Sequence, residues 1–368
     1  MTSQVFYSDL RVTPKENLFF KLTSLMDRVE MKSRIKKDDL VAVKLHFGEK
    51  GNTAYIRPVF IRKIVDLVKE CDGKPFLTDC NTLYTGDRGN AVSHLATAIE
   101  NGFDYAVVGA PLVIGDGLKG GSAVKVIINK KMFKEVSIGY EIFHSDGIIS
   151  VAHFKGHELS GFGGTIKNLG MGCGSRVGKL QQHSSVNPVV KKKLCVGCGE
   201  CLNWCHQEAI SIKDKKATID SEQCIGCGEC FLICKEGAIQ ARWNEIGPSF
   251  QKKMVEYTLG VLKGKEKKSI FINFITSVTP ACDCYPCSDA PIVPDVGIVA
   301  STDPIAIDQA SVDLVNQQTG FENSALKSNF NPGEDKFKGV YPQLDWSTQL
   351  QYGEEIGLGT RDYELVKI

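Results

Sequence analysis

No apolar run approaches the roughly 20 residues that a membrane-spanning helix requires. The longest apolar stretches, Asp146 to Ala152 and Ser269 to Ile275, have strand length. The start, Met1 to Asp9, lacks the basic residues and apolar h-region of a secretory signal. An excess of either charge is missing too. Forty-four Lys and Arg meet 43 Asp and Glu, a net charge of +1 in 368 residues. That balance excludes a polyanion-coating or strongly acidic protein, so neither nucleic acid nor membrane is an expected partner. Hydrophobic residues are 42% and charged residues 24%, as in a soluble globular protein. A cytoplasmic chain of two or three domains, about 150 residues each, is expected. Cysteine breaks the pattern. There are 14, and a core of this size needs no disulfide stapling. In a reducing compartment a cysteine-dense segment points to metal.

Eight of the 14 lie between Cys195 and Cys234. They read Cys195-Val-Gly-Cys198-Gly-Glu-Cys201-Leu-Asn-Trp-Cys205, then Cys224-Ile-Gly-Cys227-Gly-Glu-Cys230-Phe-Leu-Ile-Cys234. This is C-x2-C-x2-C-x3-C twice. Three thiolates at this spacing wrap one iron–sulfur cube, and the fourth, on the following helix, reaches the other. The expected ligand sets are therefore Cys195, Cys198, Cys201 and Cys234 for one cluster, and Cys224, Cys227, Cys230 and Cys205 for the other. Gly197, Gly199, Gly226 and Gly228 let the backbone curl and aim N–H groups at sulfide. Short strands follow each run, Ala209 to Ile212 and Ala238 to Ala241, and a turn at Asp214 to Lys216 precedes Ala217 to Asp220. The segment resembles the bacterial ferredoxin module with two 4Fe-4S clusters. The family's proline after each fourth cysteine is missing: His206 and Lys235 stand there. Four-cysteine zinc sites, the alternative, use two C-x2-C pairs.

The module is expected as an insertion, residues 188–243, bounded near Asn187 and Trp243. It divides an α/β domain into residues 1–187 and 244–368. In the first part, Thr13-Pro14-Lys15-Glu16 reads as a capping box before a helix with Leu18, Leu22, Leu25 and Val29 on one face. Val41 to Phe47 and Phe76 to Cys80 read as strands. Pro58 opens a helix carrying Phe60, Ile61, Ile64, Val65 and Val68, and Ala91 to Glu100 forms another. Gly147 to Ala152, Ile270 to Ile275 and Gly297 to Ala300 are further strands. Phe250 to Leu262 is helical, and Ser301-Thr-Asp-Pro304 caps a last helix with Ile307, Ala310 and Leu314 inward. Alternating strand and helix implies a layered α/β fold with a mixed or parallel sheet, here carrying an inserted α+β module. The polar tail beyond Ser324 is expected to wrap the surface.

Three segments outside the module carry candidate chemistry. In Lys44-Leu45-His46-Phe47-Gly48, Lys44 and His46 share a face if the chain is extended. In His153-Phe154-Lys155-Gly156-His157, the same holds for His153, Lys155 and His157. Ligands of open α/β sheets bind beyond the carboxyl ends of strands, so both patches are candidates for a small anionic substrate. The alternative is solvated strand ends, or pairing with acids such as Glu49 and Asp79. The third segment runs from Gly161 to Lys179. Its Gly163, Gly164, Asn168, Gly172 and neighbouring glycines could cradle an anion, with charge from Lys167, Arg176 and Lys179. The alternative is a tight loop packed under the module. It is not a Walker A loop, since Gly178-Lys179 is followed by Leu180 and Cys173 stands where glycine is needed. Gly115-Asp-Gly117-Leu-Lys-Gly120 matches a dinucleotide fingerprint, but a strand follows where that motif needs a helix.

Of the remaining cysteines, Cys282-Asp283-Cys284-Tyr-Pro-Cys287 offers three thiolates from one loop. A third iron–sulfur cluster, zinc or a redox-active dithiol all suit it, with Cys173 or Cys80 as a fourth ligand or one position left open. Several stretches resemble the domain-of-unknown-function 362 family in its iron–sulfur form. They are Val43 to Glu49 with Gly51-Asn52, Thr78 to Tyr84, Phe154 to His157, Gly163 to Asn168 through Gly172, Cys282-Asp-Cys284, and Ser301 to Asp308. The resemblance covers nearly the whole chain and implies the architecture and iron–sulfur content, but no substrate. The expected function is a redox protein. Single electrons from a partner, a ferredoxin or reductase, would pass through two clusters to a site in the α/β domain, as in an oxidoreductase. The alternatives are an accessory protein that assembles or delivers a metal centre, and a simple electron carrier.

Overall fold

The computed structural model describes residues 2–84, 86–184, 188–224, 228–240 and 247–368. Eight strands form the central sheet: β1 (Ser3–Asp9), β2 (Leu40–Lys44), β3 (Lys74–Asp79), β4 (Leu112–Ile114), β5 (Gly147–His153), β6 (Ser269–Ile275), β7 (Gly297–Ser301) and β8 (Tyr363–Lys367). Their order is β8-β1-β7-β6-β5-β2-β3-β4. Strands β6, β5, β2, β3 and β4 are mutually parallel. β7 runs against both of its neighbours, and β8 is parallel to β1. The layered α/β fold is therefore present, with a mostly parallel sheet. β5 and β6 are buried along their whole length, as uninterrupted apolar strands must be when both sheet faces are covered.

Helices α1 (Leu18–Arg28), α2 (Pro58–Glu70), α3 (Ala91–Glu100), α4 (Thr165–Gly170), α5 (Arg176–His183), α6 (Gly247–Leu262) and α7 (Pro304–Asn316) supply those covers. Leu22 and Leu25 of α1 and Ile61, Ile64 and Val65 of α2 share one core with Ile149, Val151 and Ile272. Phe250 and Met254 of α6 and Ile305, Ile307 and Ala310 of α7 share the other with Ala42, Ile148 and Val299. Successive residues of β5 thus serve opposite cores, as the two-residue period of a strand demands.

The helix starts at Pro58 and Pro304 lie where expected, each with proline in the first turn. Asp303 caps α7 by accepting from the N–H groups of Ile305 and Ala306. The start of α1 differs. Asn17 is its cap, accepting from Phe19 and Phe20. The Thr13 hydroxyl accepts from the Glu16 N–H instead, in a turn before the helix. The tail also differs from a surface wrap. β8 extends the sheet beside β1, and helix Ser347–Glu355 buries Leu350 and Tyr352. Its apolar residues stand singly or in pairs among polar ones, so no long run announces them.

Within residues 188–240, Val189–Val190 pairs with Ile239–Gln240, and Ile210–Lys213 with Lys216–Ile219. The first pairing closes the segment on itself. Short helices Glu200–Asn203 and Glu229–Ile233 each follow a glycine in the left-handed region, Gly199 (φ 81°) and Gly228 (φ 78°). Ile210, Ala217, Ala238 and Ile239 form a small separate core with Cys195, Cys201 and Cys230. The expected boundary residues Asn187 and Trp243, and the ligand candidate Cys227, lie outside the described residues. No helix among the described residues is long and apolar enough to cross a membrane.

Strand order sets the next question. From β2 the chain winds outward through β3 and β4, then returns to place β5 on the other side of β2. The carboxyl ends of β2 and β5 therefore flank a topological switch point, where open α/β sheets bind ligands.

Candidate redox and metal site

β2 stops at Lys44, one residue before Leu45 donates to the Thr78 carbonyl (3.3 Å). The chain then turns through Gly48, at φ 80°, and the Gly48 N–H donates to His46 Nδ1 (3.0 Å). A lone pair thus occupies Nδ1, and the neutral ring carries its proton on Nε2. Burial, with the nearby Arg88 charge, pushes His46 down to about 3, so the ring is neutral. Its Nε2 lies 3.5 Å from Cys284 Sγ.

The loop after β6 is held by Asp283, which is buried. Its carboxylate accepts from His153 Nδ1 (2.9 Å) and Lys155 Nζ (3.0 Å). His153 Nε2 faces the Thr276 carbonyl (2.9 Å). Both ring nitrogens of His153 therefore face acceptors, which fits a doubly protonated ring. Burial pushes the Asp283 carboxyl up, but the His153 and Lys155 charges prevail and hold it well below the usual carboxylate range. With Asp283 turned toward these cations, its two neighbours meet each other. Cys282 Sγ and Cys284 Sγ lie 2.9 Å apart, and Lys167 Nζ donates to Cys282 Sγ (3.0 Å). Cys282 is buried, whereas Cys284 is half-exposed. The hydrogen bond from Cys282 lowers Cys284 to about 5 against the effect of burial, with Lys167, Arg88 and Lys155 helping. The same bond, with burial, raises Cys282 well above the usual thiol range. Of the pair, Cys284 is thus the sulfur driven toward thiolate and Cys282 the one driven toward thiol. The ligand atoms of His46, Cys282 and Cys284 all lie within 4.8 Å of one another, so this group can hold a metal ion.

Around it, cations are matched one by one. Lys44 Nζ donates to Leu45 O (3.1 Å), Asn168 Oδ1 (2.9 Å) and Asp79 Oδ1 (3.1 Å). Arg88 joins Glu49 (3.2 Å) and Asp79 (3.4 Å). Burial raises Asp79, but the Lys44 and Arg88 charges carry it below the carboxylate range. Lys167 and Asn168 ride on α4, whose first N–H groups, from Thr165 and Ile166, donate to Asp308 of α7 (2.8 and 2.9 Å). The glycines of this segment make room for side chains. A Cβ on Gly164 would lie 2.3 Å from Asp308 Oδ1, and one on Gly172 2.4 Å from Lys44 Nζ.

Lys44, His46, His153, Lys155, Lys167, Asn168, Cys282 and Cys284 thus come together through direct contacts. Gly163 lies against the Lys167 side chain. Other predicted residues have partners outside this group. His157 stacks on Phe250 and bonds the Ser160 hydroxyl. Lys179 donates to the Gly174 and Gly172 carbonyls. Arg176 donates to the Gly89 carbonyl and sits over the Phe231 ring. Burial pushes the Cys173 thiol up to about 12, against the opposing pull of the Lys44 charge. Cys287 is exposed. Neither Cys173 nor Cys287 belongs to the three-atom group. The role of Asp283 at the centre of the loop escaped sequence reading, although its place between two cysteines was a signal. Arg88 carried none.

Seven of the cysteines between Cys195 and Cys234 line two cavities. One is walled by Cys195, Cys198 and Cys201 together with Cys234. The other is walled by Cys205, Cys224 and Cys230. Backbone N–H groups of Ala217, Ala209 and Ala238 donate to the sulfurs of Cys195 (3.3 Å), Cys205 (3.2 Å) and Cys234 (3.2 Å). The Ala217 N–H holds the Cys195 thiol below its usual value. The segment rests on the α/β domain through Phe231, which packs on Leu83 and Leu180.

The family described as Domain of unknown function (DUF362) matches residues 41–313. No curated protein matches. Two solved structures are similar in part. One is a protein from Thermotoga maritima, with TM-score 0.44 and 10% identity over 81% of this chain and 58% of that one. The other is the lactate racemase apoprotein from Thermoanaerobacterium thermosaccharolyticum, with TM-score 0.34 and 10% identity over 75% of this chain and 51% of that one. The chain thus spans little more than half the length of either.

Proposed function

The chain belongs to the DUF362 family, and we propose that it is an iron–sulfur redox protein that passes single electrons from a partner protein, through two 4Fe-4S clusters, to the Cys282–Cys284 site. The observation that carries this is the lining of the first cavity. Three of its thiols come from the first cysteine run and the fourth, Cys234, from the second. That crossing is what two cubes sharing two runs require. A single zinc ion fits less well. Its sulfurs lie about 2.3 Å away, so no two can be more than about 4.6 Å apart. Among the described residues only His46, Cys282 and Cys284 make a group of three or more that compact. Iron–sulfur clusters, when bound, carry single electrons at potentials tuned by hydrogen bonds to sulfur and by burial.

The protein's own residues supply that tuning and a direction. The N–H groups of Ala217, Ala209 and Ala238 stabilise negative sulfur at Cys195, Cys205 and Cys234. Cys198 and Val196, at the first cavity, are exposed, which suits an approaching donor protein. Phe231, next to Cys230 of the second cavity, lies against the α/β domain, which suits onward transfer. Lys167 and His46 then hold negative charge at the receiving sulfurs. Anaerobic iron and sulfide counts with EPR of the reduced protein test the reading. About eight irons and eight sulfides per chain are expected. Zinc without sulfide overturns it. Delivery of a metal ion is the second reading, favoured by the compact His46–Cys282–Cys284 group, and transfer of one labelled ion to an acceptor protein would identify it.

A further inference from the structure

We infer that Cys282 and Cys284 are a redox-active dithiol that closes to a disulfide, taking a disulfide as its substrate. The inference rests on the redox reading above and names the chemistry of its receiving site. Three features separate a dithiol from a metal centre. First, the groups around the sulfurs are donors. The Lys167 ammonium points at Cys282, and the Gly48 N–H on Nδ1 leaves His46 presenting Nε2–H to Cys284. A cation needs lone pairs turned inward. Second, the sulfurs are 2.9 Å apart, closer than the roughly 3.8 Å that bonds of about 2.3 Å give at tetrahedral zinc. Third, Asp283, the acid between them, is turned away to His153 and Lys155.

The asymmetry of the pair suits exchange. Cys284 is reachable and Cys282 lies buried behind it. Cys284 thiolate attacks one sulfur of a substrate R–S–S–R′. A Cys284–sulfur bond forms, the substrate S–S bond breaks, and R′S⁻ leaves to take a proton from water. Cys282 then attacks Cys284 Sγ and gives its proton to the departing RS⁻. The products are two thiols and a Cys282–Cys284 disulfide. Two single electrons from the partner's one-electron donor and one proton restore the thiol–thiolate pair. Only one residue separates the cysteines, so their disulfide is strained, and strained disulfides are the reducible, catalytic kind.

The test uses the full chain, purified anaerobically with its iron, and equilibrated in buffers of reduced and oxidised dithiothreitol. Acid quenching, alkylation and mass spectrometry then report on the Cys282-to-Cys287 peptide. Cys282 and Cys284 should lose their label together in one two-electron step, the peptide becoming two hydrogens lighter, while exposed Cys287 labels throughout. Cys284→Ser should abolish the step and leave Cys282 labelled. Independent or constant labelling of the two thiols overturns the inference. So does one metal ion per chain that shields both thiols in reduced protein. Iron counts in the Cys282→Ser/Cys284→Ser double variant keep the two readings apart. With iron unchanged, failure of the labelling step leaves the cluster assignment standing; loss of iron shows that these thiols hold metal and overturns the dithiol.

Discussion

In residues 188–240 the sulfurs of Cys195, Cys205 and Cys234 take hydrogen bonds from backbone N–H groups and belong to cysteine sets that line cavities. In the Cys282 loop the sulfurs meet a lysine, a histidine and each other. Both regions bring thiols together at short spacing, yet they provide different surroundings. Fixed amides around a void stabilise charge without exchanging protons, which suits a bound cofactor. Titratable side chains in direct contact let sulfur charge and proton position change together, which suits thiol chemistry. Spacing alone makes sulfurs converge; the donors around them decide their use.

The comparison breaks most readily at Cys234. Cys234→Ala should cost about four of about eight irons, since one cube loses the thiol that crosses from the other run. Iron counts and EPR check this, and unchanged iron would remove the module from the proposal. The Cys282 region should respond in stability instead. Asp283→Ala leaves the His153 and Lys155 charges buried without their partner, at a cost of about 3–5 kcal/mol, read from the urea midpoint. Acid should do the same gradually. Asp283 and Asp79 are held below the unfolded carboxylate value of about 4. Their contribution is complete above that pH and lost as pH falls below it toward their folded values. The urea midpoint should therefore drop below about pH 4, and less steeply in Asp283→Asn.

Smaller effects sharpen the contrast. Lys167→Met removes a positive charge that favours thiolate, so Cys284 should titrate above its value of about 5. A rise of one unit slows alkylation of Cys284 about tenfold at pH below the midpoint. An unchanged rate–pH profile would shift that role to the Cys282 hydrogen bond alone. Arg176→Ala removes a cation held 4.9 Å from the centre of the Phe231 ring. It should loosen the seam between the two regions by about 1 kcal/mol, read as faster proteolysis within 188–240, with the iron count unchanged.

Much of the fold was readable because burial leaves local marks. Continuous apolar runs announced β5 and β6, and proline after a polar residue announced α7. The cap of α1 was misplaced because Thr13 and Asn17 both carry cap chemistry, and only the register of the helix chooses between them. β8 was missed because an edge strand is half solvated and its residues need not alternate cleanly. At the site, Lys44 and His46 were recognisable as polar side chains at a strand end. Their partners were not, since Asp79, Asn168 and Cys284 arrive from distant parts of the chain. The glycines between 161 and 174 suggested an anion cradle, and in the fold at least Gly164 and Gly172 leave space for Asp308 and Lys44.

By itself the sequence determined the local features: the two four-cysteine runs, the alternation of strands and helices, and the short C-x-C spacing at Cys282. Each depends on neighbours within a few residues, where backbone geometry dictates who can meet. Only the tertiary structure decided that Lys167 and His46 would face those two sulfurs and that Asp283 would turn away from them. Those contacts are made where β2, β5 and β6 end side by side, and no local rule records which donor will reach which sulfur across a hundred residues or more.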